Sequence, residues 1–215
     1  YTRVQSAPDL AEKFVYAPLH YQPECTTCPL GDIFVDQILM LEILSASVPD
    51  HWLIYVKEHP IQWFGRGLNF FSSRYRGYYE KIARLKNVRL IPVETDTFAL
   101  MQAAQAIATV TGVPGSEALL RSKPAFIFGY PWYRDCPGVL KVDGVETCRD
   151  AFRKILSGFT VDAGQVLNFL KSFDDAAVRG YIDVFGERRS RLTAIDNAEN
   201  IACAILDEIE KQSNS

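Results

Sequence analysis

Val56-Lys57-Glu58-His59-Pro60 ends an apolar run with a histidine and a proline. A second apolar run ends in a turn with two glycines and then a helix, over residues 110–120 (Val-Thr-Gly-Val-Pro-Gly-Ser-Glu-Ala-Leu-Leu). Each stretch places hydrogen-bonding groups just beyond a predicted buried strand. If the two strand ends meet at one rim of a sheet, they form a site suited to an anionic ligand such as a nucleotide phosphate.

Composition predicts a globular protein with a full core. The 215 residues are 48% hydrophobic and 12% aromatic, which suits one large domain or one domain with helical appendages. The formal net charge of -3 gives no long-range attraction for nucleic acid, so we expect no nucleic-acid partner. Among the five cysteines only Cys25 and Cys28 are close together, which indicates a reducing compartment. We therefore expect a cytoplasmic protein.

Hydrophobic periodicity predicts an α/β fold. Apolar runs typical of strands cover residues 14–17, 53–56, 88–91, 107–110 and 125–128, with a weaker run at 139–142. Amphipathic segments separate these runs, and strands without polar alternation are those covered on both faces. The sequence therefore predicts a doubly wound, mainly parallel sheet of about six strands with helices above and below.

The pattern becomes wholly helical from Arg149 onward. We interpret residues 1–148 as the α/β domain and residues 149–215 as a helical carboxyl-terminal extension packed on it. Helical spacing runs over residues 151–156, 163–173 and 198–209. The chain begins with Tyr1 instead of methionine, so we expect a processed chain or a piece of a longer protein, without its amino-terminal partner domain.

His59 is a candidate ligand-binding and catalytic residue. It follows the second predicted strand, and Pro60 holds its backbone extended. A phosphate beside a histidine favours the charged ring, which donates from both nitrogens. His59 could therefore bind a phosphate or protonate a departing one; the alternative is a histidine that only joins two loops. Lys57 and Glu58 are interpreted as a solvated flank or a structural pair.

The turn after the fourth predicted strand carries the stronger phosphate signal. Gly112 and Gly115 allow backbone amides to approach a ligand, and Ser116 is expected to open a helix whose first N–H groups lack internal partners. The hydroxyls of Thr111 and Ser116 would add donors, and Glu117 could accept hydrogen bonds from ribose. Such turns also occur without ligands. The spacing is neither a dinucleotide-binding fingerprint nor a phosphate loop.

Further candidates lie in the loops after the first and fifth strands. Glu24 could contact the base, the sugar or the acceptor, or only cap a turn, and Tyr133 could stack on a base or sugar, or close the core. Cys25 and Cys28, with His20 nearby, form only part of a zinc site, since structural zinc needs four ligands. We therefore predict loop cysteines and no metal site.

Four motifs resemble bacterial glycosyltransferases of capsule and surface-polysaccharide biosynthesis, including Kdo transferase-like proteins, with a looser similarity to polysialyltransferases. They are Ala-Pro-Leu-His-Tyr-Gln-Pro-Glu at 17–24, Tyr-Val-Lys-Glu-His-Pro at 55–60, Thr-Gly-Val-Pro-Gly-Ser-Glu-Ala-Leu at 111–119 and Phe-Gly-Tyr-Pro-Trp-Tyr at 128–133. The resemblance spans residues 14–142 in order. Val113-Pro114 departs from the family pattern, and Pro114 removes one backbone N–H from the loop.

The resemblance implies the carboxyl-terminal, donor-binding half of a two-domain GT-B glycosyltransferase. By position, His59, Thr111 and Ser116 would hold the donor phosphate and Glu117 the ribose. It also implies no cofactor and no metal, and a nucleotide-sugar donor that is CMP-linked in preference to UDP-linked. The implied partners are a glycan or glycolipid acceptor and an amino-terminal domain of the same protein or of a partner subunit. The implied location is the cytoplasm, peripheral at the inner membrane face.

We therefore predict a donor-binding glycosyltransferase domain that acts in capsular or other surface polysaccharide synthesis and transfers Kdo or a related acid sugar. Two alternatives stay open. One is a non-catalytic module that binds a nucleotide-sugar or serves assembly. The other is an enzyme similar to sugar-nucleotide epimerases.

Overall fold

A single parallel sheet forms the centre of the protein. A computed structural model describes residues 1–23, 27–63, 74–182 and 184–213, without the side chain of residue 185. Across these residues the strands are β1 (Phe14–Pro18), β2 (Leu53–Lys57), β3 (Val88–Leu90), β4 (Ala106–Thr109), β5 (Ala125–Ile127) and β6 (Val139–Lys141). Their order is β3-β2-β1-β4-β5-β6, and each neighbouring pair is parallel. The predicted strands and sheet type are confirmed.

Helices connect the strands and continue after them. They are α1 (Gln37–Ser47), α2 (Tyr78–Ala83), α3 (Thr97–Ala103), α4 (Val113–Leu119), α5 (Val145–Leu156), α6 (Ala163–Ala176), α7 (Val184–Arg189) and α8 (Ala194–Ser213). Short 3-10 helices cover Asp32–Val35 and Pro60–Trp63. Asp96 caps α3, because its carboxylate accepts a hydrogen bond from the Phe98 N–H at 2.8 Å.

The two faces of β1 explain why its sequence has no polar alternation. Val15 and Ala17 pack into the hydrophobic cluster that includes α1 and α5, whereas Phe14 and Tyr16 pack into a second cluster. That second cluster includes Leu100 of α3 and Ala118 of α4. Because successive side chains of a strand point to opposite faces, the sheet is covered by helices on both sides. The fold is thus doubly wound, as predicted.

The helix after β4 begins earlier than predicted. We expected Ser116 to open it, but α4 begins at Val113 and Gly112 is the residue that precedes its first turn. Pro114 lies in that first turn, where its missing N–H costs no helical hydrogen bond. Ser116 therefore lies inside the helix, and its hydroxyl donates to the Val113 carbonyl at 2.9 Å. The prediction that Ser116 caps this helix is wrong.

The chain divides into two units, Tyr1–Leu167 and Asn168–Ser215. The first contains the whole sheet and α5, while the predicted division after residue 148 stays a prediction of the sequence. In the second, Thr193 and Asp196 cap α8 reciprocally, since the Asp196 N–H donates to the Thr193 hydroxyl oxygen at 3.1 Å and the Thr193 N–H donates to the Asp196 carboxylate at 3.3 Å. None of the helices in the described ranges is both long and apolar enough to cross a membrane.

Phe126 tests the packing of the core. Its side chain is fully buried in β5, and its ring meets Phe152 of α5 edge to face with the centroids 4.9 Å apart. We expect Phe126→Ala to lower the free energy of unfolding by about 3–5 kcal/mol, because it removes a buried aromatic ring and leaves a cavity. Urea denaturation measures this. Phe98→Ala, at a side chain that is 56% exposed, is the control and should cost below about 1 kcal/mol; equal losses would contradict this core.

Candidate functional site

The strand order creates a crevice at the carboxyl ends of β1 and β4. From β1 the chain continues to β2 on one side, while β4 lies on the other, and ligands of doubly wound sheets bind at this reversal. A cavity of about 350 Å³ lies there. The end of β1 contributes residues 18–21, the end of β2 residues 57–60, and the end of β4 Thr109 and residues 111–114. Three strand ends therefore form one pocket.

His20 and Thr109 join two walls of this cavity. His20 is buried, and its Nε2 accepts a hydrogen bond from the Thr111 N–H at 3.3 Å. Because a backbone N–H only donates, Nε2 is the acceptor of that bond, and it lies 2.9 Å from the Thr109 hydroxyl oxygen. The Thr109 oxygen in turn accepts from the Gly112 N–H at 3.2 Å. The loop after β4 is thus held against the loop after β1.

Lys57 brings a buried ammonium group to the cavity. Its Nζ donates to the Thr95 carbonyl at 2.8 Å and to the Thr97 hydroxyl at 2.5 Å. Burial lowers the pKa of Lys57, although the charges of Asp96 and Glu94 act against that shift. An ammonium has three donors, and these two bonds use two of them. Lys57 is only 5% exposed, so the interpretation as a solvated flank is wrong.

Glu58 is also buried, and its ion pair is with Arg74 instead of with its neighbour Lys57. Its carboxylate, 1% exposed as a residue, accepts from Arg74 Nε at 2.8 Å and Nη2 at 3.0 Å, and from the Tyr79 hydroxyl at 2.7 Å. It also accepts from the His59 N–H at 2.7 Å. Arg74 Nη2 further donates to the His20 carbonyl at 2.8 Å. One buried ion pair therefore fixes the loops after β1 and β2 together.

His59 presents its ring to the cavity from the end of β2. The side chain is half-buried, and its Nδ1 accepts a hydrogen bond from the Ile61 N–H at 3.2 Å. The proton of the neutral ring is then on Nε2, which makes that nitrogen the donor. The Tyr21 ring lies beside it, with the centroids 5.9 Å apart. This tautomer suits a ligand that accepts hydrogen bonds, as a phosphate oxygen does.

The structure brings together three of the predicted site residues. His59, Thr111 and Gly112 border the same cavity, so the expected convergence of the loops after β2 and β4 is confirmed. A Cβ on Gly112 would lie 2.9 Å from His20 Cε1 and 2.8 Å from the Thr109 hydroxyl oxygen. Only glycine therefore fits this close contact between the loops.

Four other predicted residues lie outside the lining of the cavity. Tyr133 is buried, and its hydroxyl donates to the Gly112 carbonyl, while Gly115 packs against the Tyr133 ring. Burial raises the pKa of Tyr133, so the phenol remains a neutral donor. Ser116 bonds within α4, and Glu117 is half-buried on the same helix. Glu24 lies outside the described residues, as does Cys25.

The sequence interpretation missed four of the residues that shape the pocket. They are His20, Lys57, Thr97 and Thr109. His20 appeared in a resemblance motif and in the partial zinc set, without a role at the cavity. Lys57 could have been found from its position, because the last residue of a parallel strand points toward the ligand edge of the sheet. Thr97 carried no signal of its own, since α3 follows β3, which is separated from β4 by β2 and β1.

Comparison with known proteins places the chain in a family. The family model described as capsule polysaccharide biosynthesis protein matches residues 27–155, which is more than half of the chain. The chain belongs to the capsule polysaccharide biosynthesis protein family. It is 32% identical over 80 residues to the capsule polysaccharide modification protein LipA of Neisseria meningitidis serogroup B, covering 37% of this chain and 10% of LipA. The chain thus spans about a tenth of the length of the curated relatives it matches.

Solved structures resemble this family member more distantly. The β-Kdo 2,7-transferase KpsC of Thermosulfurimonas dismutans aligns with a TM-score of 0.47 at 20% identity, over 66% of this chain and 42% of that chain. The UDP-GlcNAc 2-epimerase of Methanocaldococcus jannaschii aligns with a TM-score of 0.48 at 14% identity, over 81% of this chain and 48% of that chain.

Arg74 tests the buried ion pair. We expect Arg74→Met to lower the free energy of unfolding by about 3–5 kcal/mol, because the Glu58 carboxylate would stay buried without its cation. Chemical denaturation measures this. Arg153→Met is the matched control: Arg153 pairs with Asp150 at the surface, with side chains 67% and 58% exposed, so this variant should be about as stable as wild type. If Arg74→Met lowers the free energy of unfolding as little as Arg153→Met does, the ion pair beside the cavity is not structural.

Proposed function

We propose that this chain is the nucleotide-sugar donor-binding domain of a glycosyltransferase that acts in bacterial capsular or other surface polysaccharide synthesis. Membership of the capsule polysaccharide biosynthesis protein family supports the pathway. One structural observation supports the donor site: Lys57, His59 and Thr111, from the ends of two strands, line a single cavity at the reversal point of the sheet. All three carry hydrogen-bond donors, which a phosphate requires.

The cavity favours a ligand of the size of a nucleoside phosphate. Its volume of about 350 Å³ lies at the lower end of the range of about 300–1,000 Å³ that small-molecule sites occupy. The ammonium of Lys57 would offset the charge of the phosphate, and the Nε2–H of His59 would donate a hydrogen bond to it. Gly112 lets the loop backbone lie close to the same ligand. Thr111 would add a hydroxyl donor.

The proposed chemistry is departure of a nucleotide from the sugar. As the bond between the anomeric carbon and the phosphate oxygen breaks, negative charge grows on that oxygen. His59 would stabilise this charge by donating from Nε2, and Lys57 by its positive charge in a site sheltered from water. These interactions strengthen as the charge develops, so they stabilise the transition state more than the bound substrate and lower the barrier.

The remaining partners are part of the same proposal. The resemblance favours a CMP-linked acid sugar such as Kdo as donor over a UDP-sugar, and a glycan or glycolipid as acceptor. An amino-terminal domain or partner subunit would hold the acceptor at the inner membrane face. The predicted contacts of Ser116 and Glu117 with the nucleotide belong here too, since α4 begins directly after the cavity-lining Gly112.

Nucleotide titration tests the site. We expect isothermal calorimetry to detect binding of CMP, and of UDP more weakly. His59→Ala and Thr111→Val should each weaken binding about fivefold, because each removes one hydrogen bond worth about 1 kcal/mol. Lys57→Met should weaken binding at least about tenfold, because it removes a charged donor. Ser116→Ala, in the same titration, measures whether that hydroxyl leaves Val113 to reach the nucleotide.

Matched controls separate site effects from general ones. His51 lies before β2, at the opposite edge of the sheet, in a left-handed conformation with φ 67° that asparagine also adopts, so His51→Asn should bind as wild type does. Thr160→Val, at an exposed threonine, is the control for Thr111. The site assignment is wrong if His59→Ala, Thr111→Val and Lys57→Met all bind nucleotide like these controls.

Turnover distinguishes an enzyme from a binding module. We expect release of CMP from CMP-Kdo to increase when a capsular glycan acceptor is present, and to fall in His59→Ala, because less charge is stabilised on the departing phosphate. Chromatography of the released nucleotide measures this. Nucleotide binding without release, even with acceptor and the complete gene product, would favour the non-catalytic module.

A further inference from the structure

A second pocket lies on the other side of the loop that follows β1. Residues 18–21 of this loop line the cavity that is proposed to bind the donor, called the donor cavity below. Gln22 and Pro23 line a separate pocket of about 350 Å³. Its other walls include Thr27, Asp36, Tyr75 and Tyr78. The Gln37 side chain, which also lines this pocket, accepts from the His20 N–H at 2.7 Å and donates to the His20 carbonyl at 3.2 Å. The two pockets therefore share one wall.

Two buried hydroxyl groups at this second pocket have no hydrogen-bond partner among the residues that the structure describes. They are Thr27 Oγ1 and the Tyr78 hydroxyl, in residues that are 0% and 4% exposed. A buried hydroxyl without a partner is uncommon in folded proteins, because each group gives up its hydrogen bonds with water. Both unpartnered groups belong to residues that line the same pocket. A ligand that displaces the side chains covering these hydroxyls would supply the missing partners.

The Tyr78 ring cannot turn toward another partner. The Arg74 guanidinium lies over it, 4.7 Å from the centroid, and the rings of Tyr75 and Tyr79 meet it edge to face at 5.4 and 5.3 Å. The neighbouring Tyr79 hydroxyl is satisfied, since it donates to Glu58 at 2.7 Å. Two adjacent tyrosines thus differ in one respect: only the hydroxyl at the second pocket lacks a protein partner.

The lining indicates the chemistry of the ligand. Threonine and tyrosine hydroxyls each donate and accept, so their best counterparts are groups that do the same, such as the hydroxyls of a sugar. Tyr75 is 55% exposed and offers an aromatic face for the apolar side of a sugar ring. Asp36 is the one charged side chain among the described lining residues. Its carboxylate disfavours phosphates and acid sugars and accepts hydrogen bonds from neutral ones.

We propose that this second pocket binds a neutral saccharide unit, a hexose or an N-acetylhexosamine, whose hydroxyls pair with Thr27 and Tyr78 while its ring lies against Tyr75. The pocket and its ligand class stand on these contacts alone; that the saccharide is part of the acceptor glycan rests on the proposed function. The shared wall places such a saccharide next to the donor cavity.

A saccharide titration tests the proposal. The probes are methyl β-glucoside, methyl N-acetyl-β-glucosaminide and methyl β-glucuronide, which differs from the first only by its carboxylate. Saturation-transfer NMR on the whole chain should show the two neutral glycosides bound and the glucuronide at least fivefold weaker. Tyr78→Phe and Thr27→Val should each weaken binding at least fivefold, whereas Thr160→Val should bind as wild type does.

Thermal denaturation of the same variants supplies an independent readout. Tyr78→Phe and Thr27→Val remove hydroxyls without partners, so their Tm should equal or exceed that of wild type. Tyr79→Phe is the matched control and should lower Tm, because it removes the hydrogen bond to Glu58. Together, weaker saccharide binding and undiminished stability are expected of a ligand-binding hydroxyl and not of a structural one.

Several results would overturn the proposal. They are an absence of saturation transfer to both neutral glycosides, a glucuronide that binds as tightly as the glucoside, unchanged affinity in both hydroxyl variants, or a loss of Tm in Tyr78→Phe equal to that in Tyr79→Phe. The CMP and UDP titrations report on the donor cavity separately. A protein that binds nucleotide but no neutral glycoside disproves the second pocket alone, and one that binds glycoside but no nucleotide disproves the donor site alone.

Discussion

The ion pair between Glu58 and Arg74 is the interaction on which the ligand-binding edge of this protein depends. Its side chains are 0% and 2% exposed, and a carboxylate so far from water must have its oxygens satisfied by protein donors. Arg74, Tyr79 and the His59 N–H supply them. Because Arg74 also binds the His20 carbonyl, the pair sets the positions of both histidine-bearing loops. The placement of the His59 ring is therefore decided by the carboxylate that precedes it.

The strands were predictable because a strand that is buried on both faces has an unbroken run of apolar residues. β1 covers Phe14–Pro18 against a prediction of 14–17, and β4 covers Ala106–Thr109 against 107–110. Parallel strands under helices need apolar side chains toward both faces, so each appears as an unbroken apolar run. The position of the cavity followed from the same reasoning, since the carboxyl ends of such strands share one edge. His59, Thr111 and Gly112 were found in this way.

What the sequence could not supply was the partner of each polar side chain. Lys57 and Glu58 look like solvent-exposed charges, and the cation that offsets the cost of burying Glu58, Arg74, lies in a separate segment of the chain. The prediction for Ser116 was wrong for a local reason. Serine is a good helix cap, but Pro114 fits the first turn of a helix, so α4 begins at Val113, before Ser116. Tyr133 could stack on a ligand or close the core, and the structure has it buried, with its hydroxyl donating to the Gly112 carbonyl.

The loop after β1 separates two pockets of different electrostatic character. On one side, Lys57 gives the donor cavity a positive charge; on the other, Asp36 gives the second pocket a negative one. An anionic ligand is therefore drawn to the first side and repelled from the second, while a neutral polar ligand experiences little of either effect. Since Gln37 holds the His20 backbone through the oxygen and the NH2 of its side-chain amide, the wall between the two pockets is fixed by hydrogen bonds that involve neither ligand. If both proposed ligands bind, this wall holds them side by side, which is the arrangement that transfer between two bound molecules requires.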